Sequence, residues 1–198
     1  MIETADLIVA DLQAALGAAD VAAVLLRLAD ADDRTLINRV QALARTVQDS
    51  GAALLLFGRP ELVAPTGADG AHLAGIDVFN ASVSTLKPER IAGAGGLATR
   101  HDAMLAAEAG ADYVMFGEPD ASGHRPSLEA IIERVKWWAE VFQAPCIGFA
   151  ETLEEIAPLV TAGADFIALG DFIFADPRGP SATLAAAAER LKLAEPVQ

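Results

Sequence analysis

A short phrase returns along this chain: a glycine and an alanine, one or two further small or acidic residues, then four to seven apolar residues. It reads SGAALLLFGRP from Ser50, TGADGAHLAG from Thr66, AGADYVMFGEP from Ala109 and AGADFIALGD from Ala162, with a looser copy, LGAADVAAVLLRL, from Leu16. Self-similarity of this kind marks a repeated supersecondary unit. The glycine supplies the left-handed cap that ends a helix. The run behind it is apolar on both faces, as a strand of a parallel sheet covered by helices must be.

Amphipathic stretches lie between these runs. In RTLINRVQALARTVQDS (34–50), Leu36, Val40, Leu43 and Val47 share one face at spacings of three and four. In PSLEAIIERVKWWAEVF (126–142), Pro126 and Ser127 form a good helix entry with Glu129 in the first turn. Strands are expected near 21–28, 52–57, 69–73, 90–94, 112–117, 144–149 and 165–170. Strands alternating with helices give an α/β protein with right-handed crossovers. The expected architecture is a (βα)8 TIM-type barrel whose first strand is not evident in the sequence. Residues 2–17 read as helix, because Ile2, Ala5, Ile8, Leu12, Ala15 and Leu16 fall on one face. The alternative is an open doubly wound sheet, but the Gly-rich nucleotide turn after a first strand is missing. How the barrel closes stays open: a short strand from residues 2–9, an open gap, or cover by another chain. An unpaired edge is a liability, so the gap matters. Trp137 and Trp138 are adjacent and cannot face the same side of one helix. One is expected on the barrel and the other at a subunit contact, which makes a homodimer the expected assembly.

Composition narrows the partners. The 198 residues allow one sizeable core, and no linker divides them, so residues 1–198 are read as one domain. A formal net charge of −14 argues against nucleic acid and against anionic membrane surfaces. No apolar run reaches the roughly 20 residues of a bilayer span. The first residues carry acid where a signal peptide carries base, and Cys146 is the single cysteine, so a cytoplasmic protein is expected. The partner left by this elimination is a small-molecule substrate or ligand.

In a barrel, chemistry sits at the C-terminal strand ends. Those ends carry Arg27, Arg59, His72, Asp77, Gly95 and Gly96 of a GAGG run, Glu118, Asp120, Glu151 and Asp171, with His124 and Arg125 on the sixth loop. Each has a plainer reading. Arg27 and Arg59 pair with nearby carboxylates. His72, in an apolar strand, is a hydrogen-bonded core histidine. Glu118, Asp120, Glu151 and Asp171 are solvated loop residues or helix caps, and the glycines only turn the chain. Nucleophilic catalysis is disfavoured: Lys87, Lys136 and Lys192 fall in helical or connecting segments, and Cys146 lies in a strand without a basic activator. No His/Cys spacing marks a zinc site.

Several segments together resemble a known family. GADGAHLAGID (67–77), GADYVMFGEP (110–119) and PCIGFAETLEEI with AGADFIALGDFIFADP (145–177) are similar, in order and spacing, to thiamine-phosphate synthases and their thiazole-tautomerase relatives. The likeness runs from about Asp20 to Pro177. It implies a transferase of thiamine biosynthesis that joins an aminopyrimidine diphosphate to a thiazole phosphate, with Mg²⁺ on the leaving diphosphate and the thiazole phosphate on backbone N–H groups of the last two loops.

Carried over by position, the resemblance gives Arg27, Arg59 and His72 catalytic places and Asp77 a metal-binding one. Gly95, Gly96, Glu118, His124, Arg125, Gly148, Gly170 and Asp171 then line the substrate or phosphate site. The pattern also breaks. Leu25 and Ala29 replace a Gln and a Lys, Phe57 and Gly58 replace an Asn and a magnesium-binding Asp, and DASGHRPS stands in place of a TxTK diphosphate loop. Phe149 replaces a close-approach glycine, and Asp171 falls where a Ser would donate to phosphate. Losing such charge weakens stabilisation of departing diphosphate. Two expectations therefore stand: a synthase-like protein with a divergent diphosphate and magnesium site, or a catalytically silent or repurposed barrel that binds a thiazole, pyrimidine or other small metabolite.

Overall fold

The computed structural model describes residues 11–120 and 122–194. After a helical segment at residues 11–16 (α1), seven strands follow: β1 (Ala23–Leu26), β2 (Ala53–Phe57), β3 (Gly70–Ala74), β4 (Ile91–Gly95), β5 (Tyr113–Phe116), β6 (Cys146–Ala150) and β7 (Phe166–Leu169). They form one all-parallel sheet in sequence order, curled into a half-barrel. Between them run α2 (Asp33–Asp49), α3 (Val63–Thr66), α4 (Ile76–Leu86), α5 (Arg100–Glu108), α6 (Leu128–Val141) and α7 (Ile156–Thr161); α8 (Phe172–Ala175) and α9 (Pro180–Ala194) follow β7. All seven expected strands are present. Among the described residues none pairs with the outer edge of β1 or β7, so the described sheet has seven strands where eight were expected. The expected helix at 2–17 is seen at 11–16, and its remainder and the 2–9 strand option lie outside the described residues.

The repeated phrase has a structural meaning that its glycines only half explain. Gly67, Gly110 and Gly163 do end helical turns at φ 75°, 96° and 97°. The Asp two places on then closes the sheet. Asp69 Oδ2 accepts from Leu54 N–H (2.8 Å), Asp112 Oδ2 from Ala92 N–H (2.7 Å) and Asp165 Oδ2 from Cys146 N–H (2.8 Å). Each partner lies near the start of an earlier strand, where the parallel ladder runs out of acceptors. The carboxylates finish the ladder at the base.

α2 begins at Asp32, whose carboxylate accepts from Thr35 N–H (3.0 Å) and Thr35 Oγ1–H (2.6 Å), and that bonding lowers the Asp32 pKa. Its buried stripe is Leu36, Val40, Ala44 and Val47, so Ala44 takes the place expected for Leu43, which is half-buried. Trp138 is fully buried against Phe116 and Phe142 and donates to Ala144 C=O (2.7 Å). Trp137 is partly buried at the edge of the same cluster, edge-on to Trp138 (5.8 Å) and Phe142 (5.3 Å), its ring carrying the Arg100 guanidinium at 4.9 Å. A second, smaller apolar layer fills the concave side of the sheet: Leu55, Tyr113 and Met115, flanked by Leu25, Ile91, Ile147, Phe149 and Ala168. Above that layer lie the C-terminal strand ends.

Candidate functional site

The strands deliver side chains to the mouth by simple parity. His72 in β3, Gly93 in β4 and Tyr113 in β5 are direct neighbours across the sheet. A Cβ on Gly93 would lie 2.0 Å from the Tyr113 ring, so the missing side chain is what lets Tyr113 reach across to His72. Tyr113 Oη and His72 Nδ1 are 2.9 Å apart, and His72 Nε2 and Glu118 Oε2 are 3.0 Å apart. His72 is fully buried. Burial first, and then the Glu118 and Asp112 charges, raise the Tyr113 pKa, so its phenol keeps its proton. With Tyr113 O–H taken as donor to Nδ1, Nε2 carries the proton donated to Glu118. The stacked rings of Phe57 (5.6 Å) and Tyr113 (5.7 Å) flank the imidazole. His72 is therefore a hydrogen-bonded core histidine, and its Nε2 holds the Glu118 carboxylate at the mouth.

The arginines are engaged differently. Arg27, exposed, lies over the Phe57 ring at 4.2 Å. Arg59 donates from Nε to Glu61 (2.5 Å) and pairs with Asp33 at 3.5 Å, and Glu61 above all holds its pKa up. Arg125 is only 10% exposed and is gripped on every side. It donates from Nε to Gly117 C=O (2.8 Å), from Nη2 to Phe149 C=O (2.7 Å) and, as a fork, to both oxygens of Glu155 (3.0 and 2.8 Å), with Glu151 at 3.4 Å. It ties the loop after β5 to the loop after β6. Burial alone would raise the Glu155 carboxyl, but Arg125 and the Glu151 N–H outweigh it and the pKa lies below the usual carboxylate value.

The other candidates are more open. Asp77 is exposed in the first turn of α4, behind Gly75 at the end of β3. His124 is exposed in a turn built by Asp120, whose Oδ1 accepts from Ser122 N–H, Ser122 Oγ–H and His124 N–H (2.8, 2.6 and 3.0 Å); the Ser122 hydroxyl leads in lowering the Asp120 pKa. Gly95 is buried beneath His72 and Glu118, and Gly96, at φ 57°, turns the chain out of β4. Gly148 is buried in β6, where a Cβ would meet Leu159 at 3.2 Å. Gly170 N–H donates to Ala150 C=O (2.9 Å), and a Cβ there would meet the Phe149 ring at 3.1 Å. Asp171, exposed, precedes α8 without a capping bond from its side chain. His72, Tyr113 and Glu118 form one connected group and Arg125 with Glu155 another. Tyr113 and Glu155 were not legible as site residues, although Gly93 between His72 and Tyr113 is a signal once the strands are in register.

Residues 2–173 match the family model described as thiamine monophosphate synthase. The chain belongs to that family. It is 40% identical over 177 residues to the thiamine-phosphate synthase of Rhodospirillum centenum, covering 88% of this chain and 86% of that protein. It is 35% identical over 182 residues to the thiamine-phosphate synthase of Hyphomonas neptunium, covering 88% and 82%. In fold it is similar to the thiamine phosphate pyrophosphorylase of Pyrococcus furiosus, with a TM-score of 0.79 at 17% identity over 94% of this chain and 90% of that one.

Two residues that the sequence reading sets against the family pattern, Phe149 and Gly58, have local partners in this fold. Phe149 packs on Gly170 and beside Arg125, whose guanidinium is 5.9 Å from its ring. Gly58, at φ 65°, turns the chain between Phe57, which carries Arg27, and Arg59. A side chain at either glycine would disturb the packing or the turn that the present residues need.

Proposed function

We propose that this chain is a thiamine-phosphate synthase: it joins an aminopyrimidine diphosphate to a thiazole phosphate. The observation that carries the reading is its 40% identity to a thiamine-phosphate synthase across 88% of the chain. In the reaction the C–O bond between the pyrimidine methylene and diphosphate breaks, and the thiazole nitrogen bonds to that methylene. Diphosphate leaves with the electron pair, and the ring nitrogen becomes cationic. The protein has no proton to move in this step. Its work is positioning and electrostatics. Arg27 and Arg59 supply positive charge toward the diphosphate, and His72 holds Glu118 beneath the pyrimidine. Gly148 and Gly170 border the thiazole phosphate.

Magnesium belongs to this reading in a limited form. Among the described residues no three His, Cys, Asp or Glu side chains converge to hold a metal. Asp77 is the one carboxylate kept from the family pair, and it is exposed beside the mouth. That donor set fits an ion that arrives on the substrate's diphosphate and takes a single protein carboxylate, as Mg²⁺ commonly does. Bound there, it would neutralise charge on the departing diphosphate. The reading also carries a closed eight-strand barrel, a cytoplasmic setting and small-molecule substrates.

A second reading draws on one observation: Arg125 is fully engaged by Glu155 and two backbone carbonyls, so the loop that replaces the diphosphate loop offers no free arginine. On that reading the barrel binds a thiazole, pyrimidine or related metabolite without turning it over. A single-turnover experiment separates the two. Purified protein, Mg²⁺ and both substrates are mixed and thiamine phosphate is followed by chromatography. Product well above the no-protein control is the expected result. Folded protein that yields none overturns the synthase reading.

A further inference from the structure

The hydrogen-bonded group at the base of the mouth has one loose end. The Glu118 side chain is 4% exposed, and its Oε2 takes the His72 Nε2–H. Its Oε1 is buried and has no donor among the described residues. A buried carboxylate oxygen left without a donor is unfavourable, and such an atom in a native fold calls for a ligand or a water to complete it. Its place is well defined. A Cβ on Gly95 would lie 2.2 Å from Oε1 and 2.4 Å from His72 Nε2, so Oε1 rests over the C-terminal end of β4, on the concave face. The carboxylate is fixed from one side only, through His72 to Tyr113, and its second oxygen is held ready.

The surroundings say what kind of group completes it. Arg27 lies over Phe57 and Arg125 is held by Glu155, so among the described residues no cation pairs with Oε1. A phosphate would be repelled. A ligand N–H would be accepted, and the rings of Phe57, His72 and Tyr113 beside it favour a flat, aromatic ligand. We propose that Glu118 Oε1 accepts a hydrogen bond from the exocyclic amine of an aminopyrimidine, which makes Glu118 a specificity residue and His72 and Tyr113 its positioning pair. This rests on the reading above for the class of substrate. Oε1 is enclosed when no ligand is bound, so the carboxylate swings toward the mouth to meet the amine, with the His72 Nε2–H staying on Oε2. As the pyrimidine–diphosphate bond breaks, positive charge spreads into the ring and acidifies the amine N–H. The bond to Glu118 then strengthens in the transition state.

The test compares 4-amino-5-hydroxymethyl-2-methylpyrimidine with its analogue lacking the 4-amino group, by titration calorimetry on the wild-type chain, Glu118→Gln and Tyr113→Phe. The wild type should prefer the amine about 10- to 100-fold, the range for a hydrogen bond to a charged group. Glu118→Gln should reduce that preference to within about 3-fold, and Tyr113→Phe should weaken it partially while binding of the analogue stays the same. If thiamine phosphate is formed, Glu118→Gln should lower kcat more than it raises KM. Equal affinity of the wild type for both compounds overturns the proposal, whether or not Glu118→Gln folds. So does an unchanged preference in folded Glu118→Gln, the result expected if a water alone completes Oε1. Failure of the synthase reading looks different: the amine preference persists and depends on Glu118, yet no thiamine phosphate appears.

Discussion

The two ends of the sheet use carboxylates in opposite ways. At the base, Asp69, Asp112 and Asp165 do one job three times, each accepting a backbone N–H from an earlier strand. At the mouth, four acids do four different things. Glu118 is buried against a histidine, Glu155 grips an arginine, Asp120 builds a turn and Asp77 stands free in the solvent. Repetition marks the acids the fold needs, whereas the acids that occur once are the ones with a chance to serve a ligand.

The comparison fails if a base aspartate proves as dispensable as a loop residue. Leu54 is fully buried, so Asp69→Ala strands its N–H where water cannot replace the lost acceptor. The expected cost is roughly 2–3 kcal/mol of unfolding free energy, read from urea midpoints. Ligand binding well below the melting temperature should be unchanged. A loss under about 0.5 kcal/mol would mean that the ladder end is reached by water after all.

The next effect in size belongs to the clasp at the mouth. Removing Glu155 leaves Arg125 at 10% exposure with its carbonyl partners and only the looser Glu151 contact, at 3.4 Å, as counter-charge. Glu155→Gln should cost about 2 kcal/mol near neutral pH, less than for a fully buried pair because Glu155 keeps some contact with water. Its pH dependence sharpens the point. The folded pKa of Glu155 lies below the unfolded value of about 4.3, so its contribution is present above that pH and is lost as the pH falls through the folded value. Acid titration of stability should therefore be shallower in Glu155→Gln than in the wild type. Parallel curves would assign the acid sensitivity to other groups.

The fold was legible because its signal is periodic. Seven apolar runs, five of them behind glycine stops, place seven strands to within a few residues, and the helix over 34–50 lies one residue from its observed bounds. What stayed hidden was lateral. The role of Asp69 depends on Leu54 lying beside it, and that of Tyr113 on a glycine in the strand between it and His72. Arg125 read as a ligand-facing cation because its partner Glu155 is 30 residues away and reaches it only when two loops meet. Ala44 displaced Leu43 from the buried stripe of α2 because the helical period of 3.6 favours the i+4 position after Val40.

Asp77 gives the smallest expected effect on stability and for that reason the sharpest contrast. It is exposed in the first turn of α4, where a negative charge gains a few tenths of a kcal/mol from the helix dipole, and its side chain makes no hydrogen bond or ion pair among the described residues. Asp77→Asn should shift the urea midpoint by less than the equivalent of about 0.5 kcal/mol. If Asp77 is the carboxylate that meets magnesium on the diphosphate, the same change should lower turnover about 10-fold or more, and raising Mg²⁺ should restore part of it. A base aspartate should show the reverse, a large change in stability with turnover intact. Should Asp77→Asn leave turnover untouched in a chain that does make thiamine phosphate, the mouth does not use this carboxylate, and magnesium would be held by the substrates and water alone.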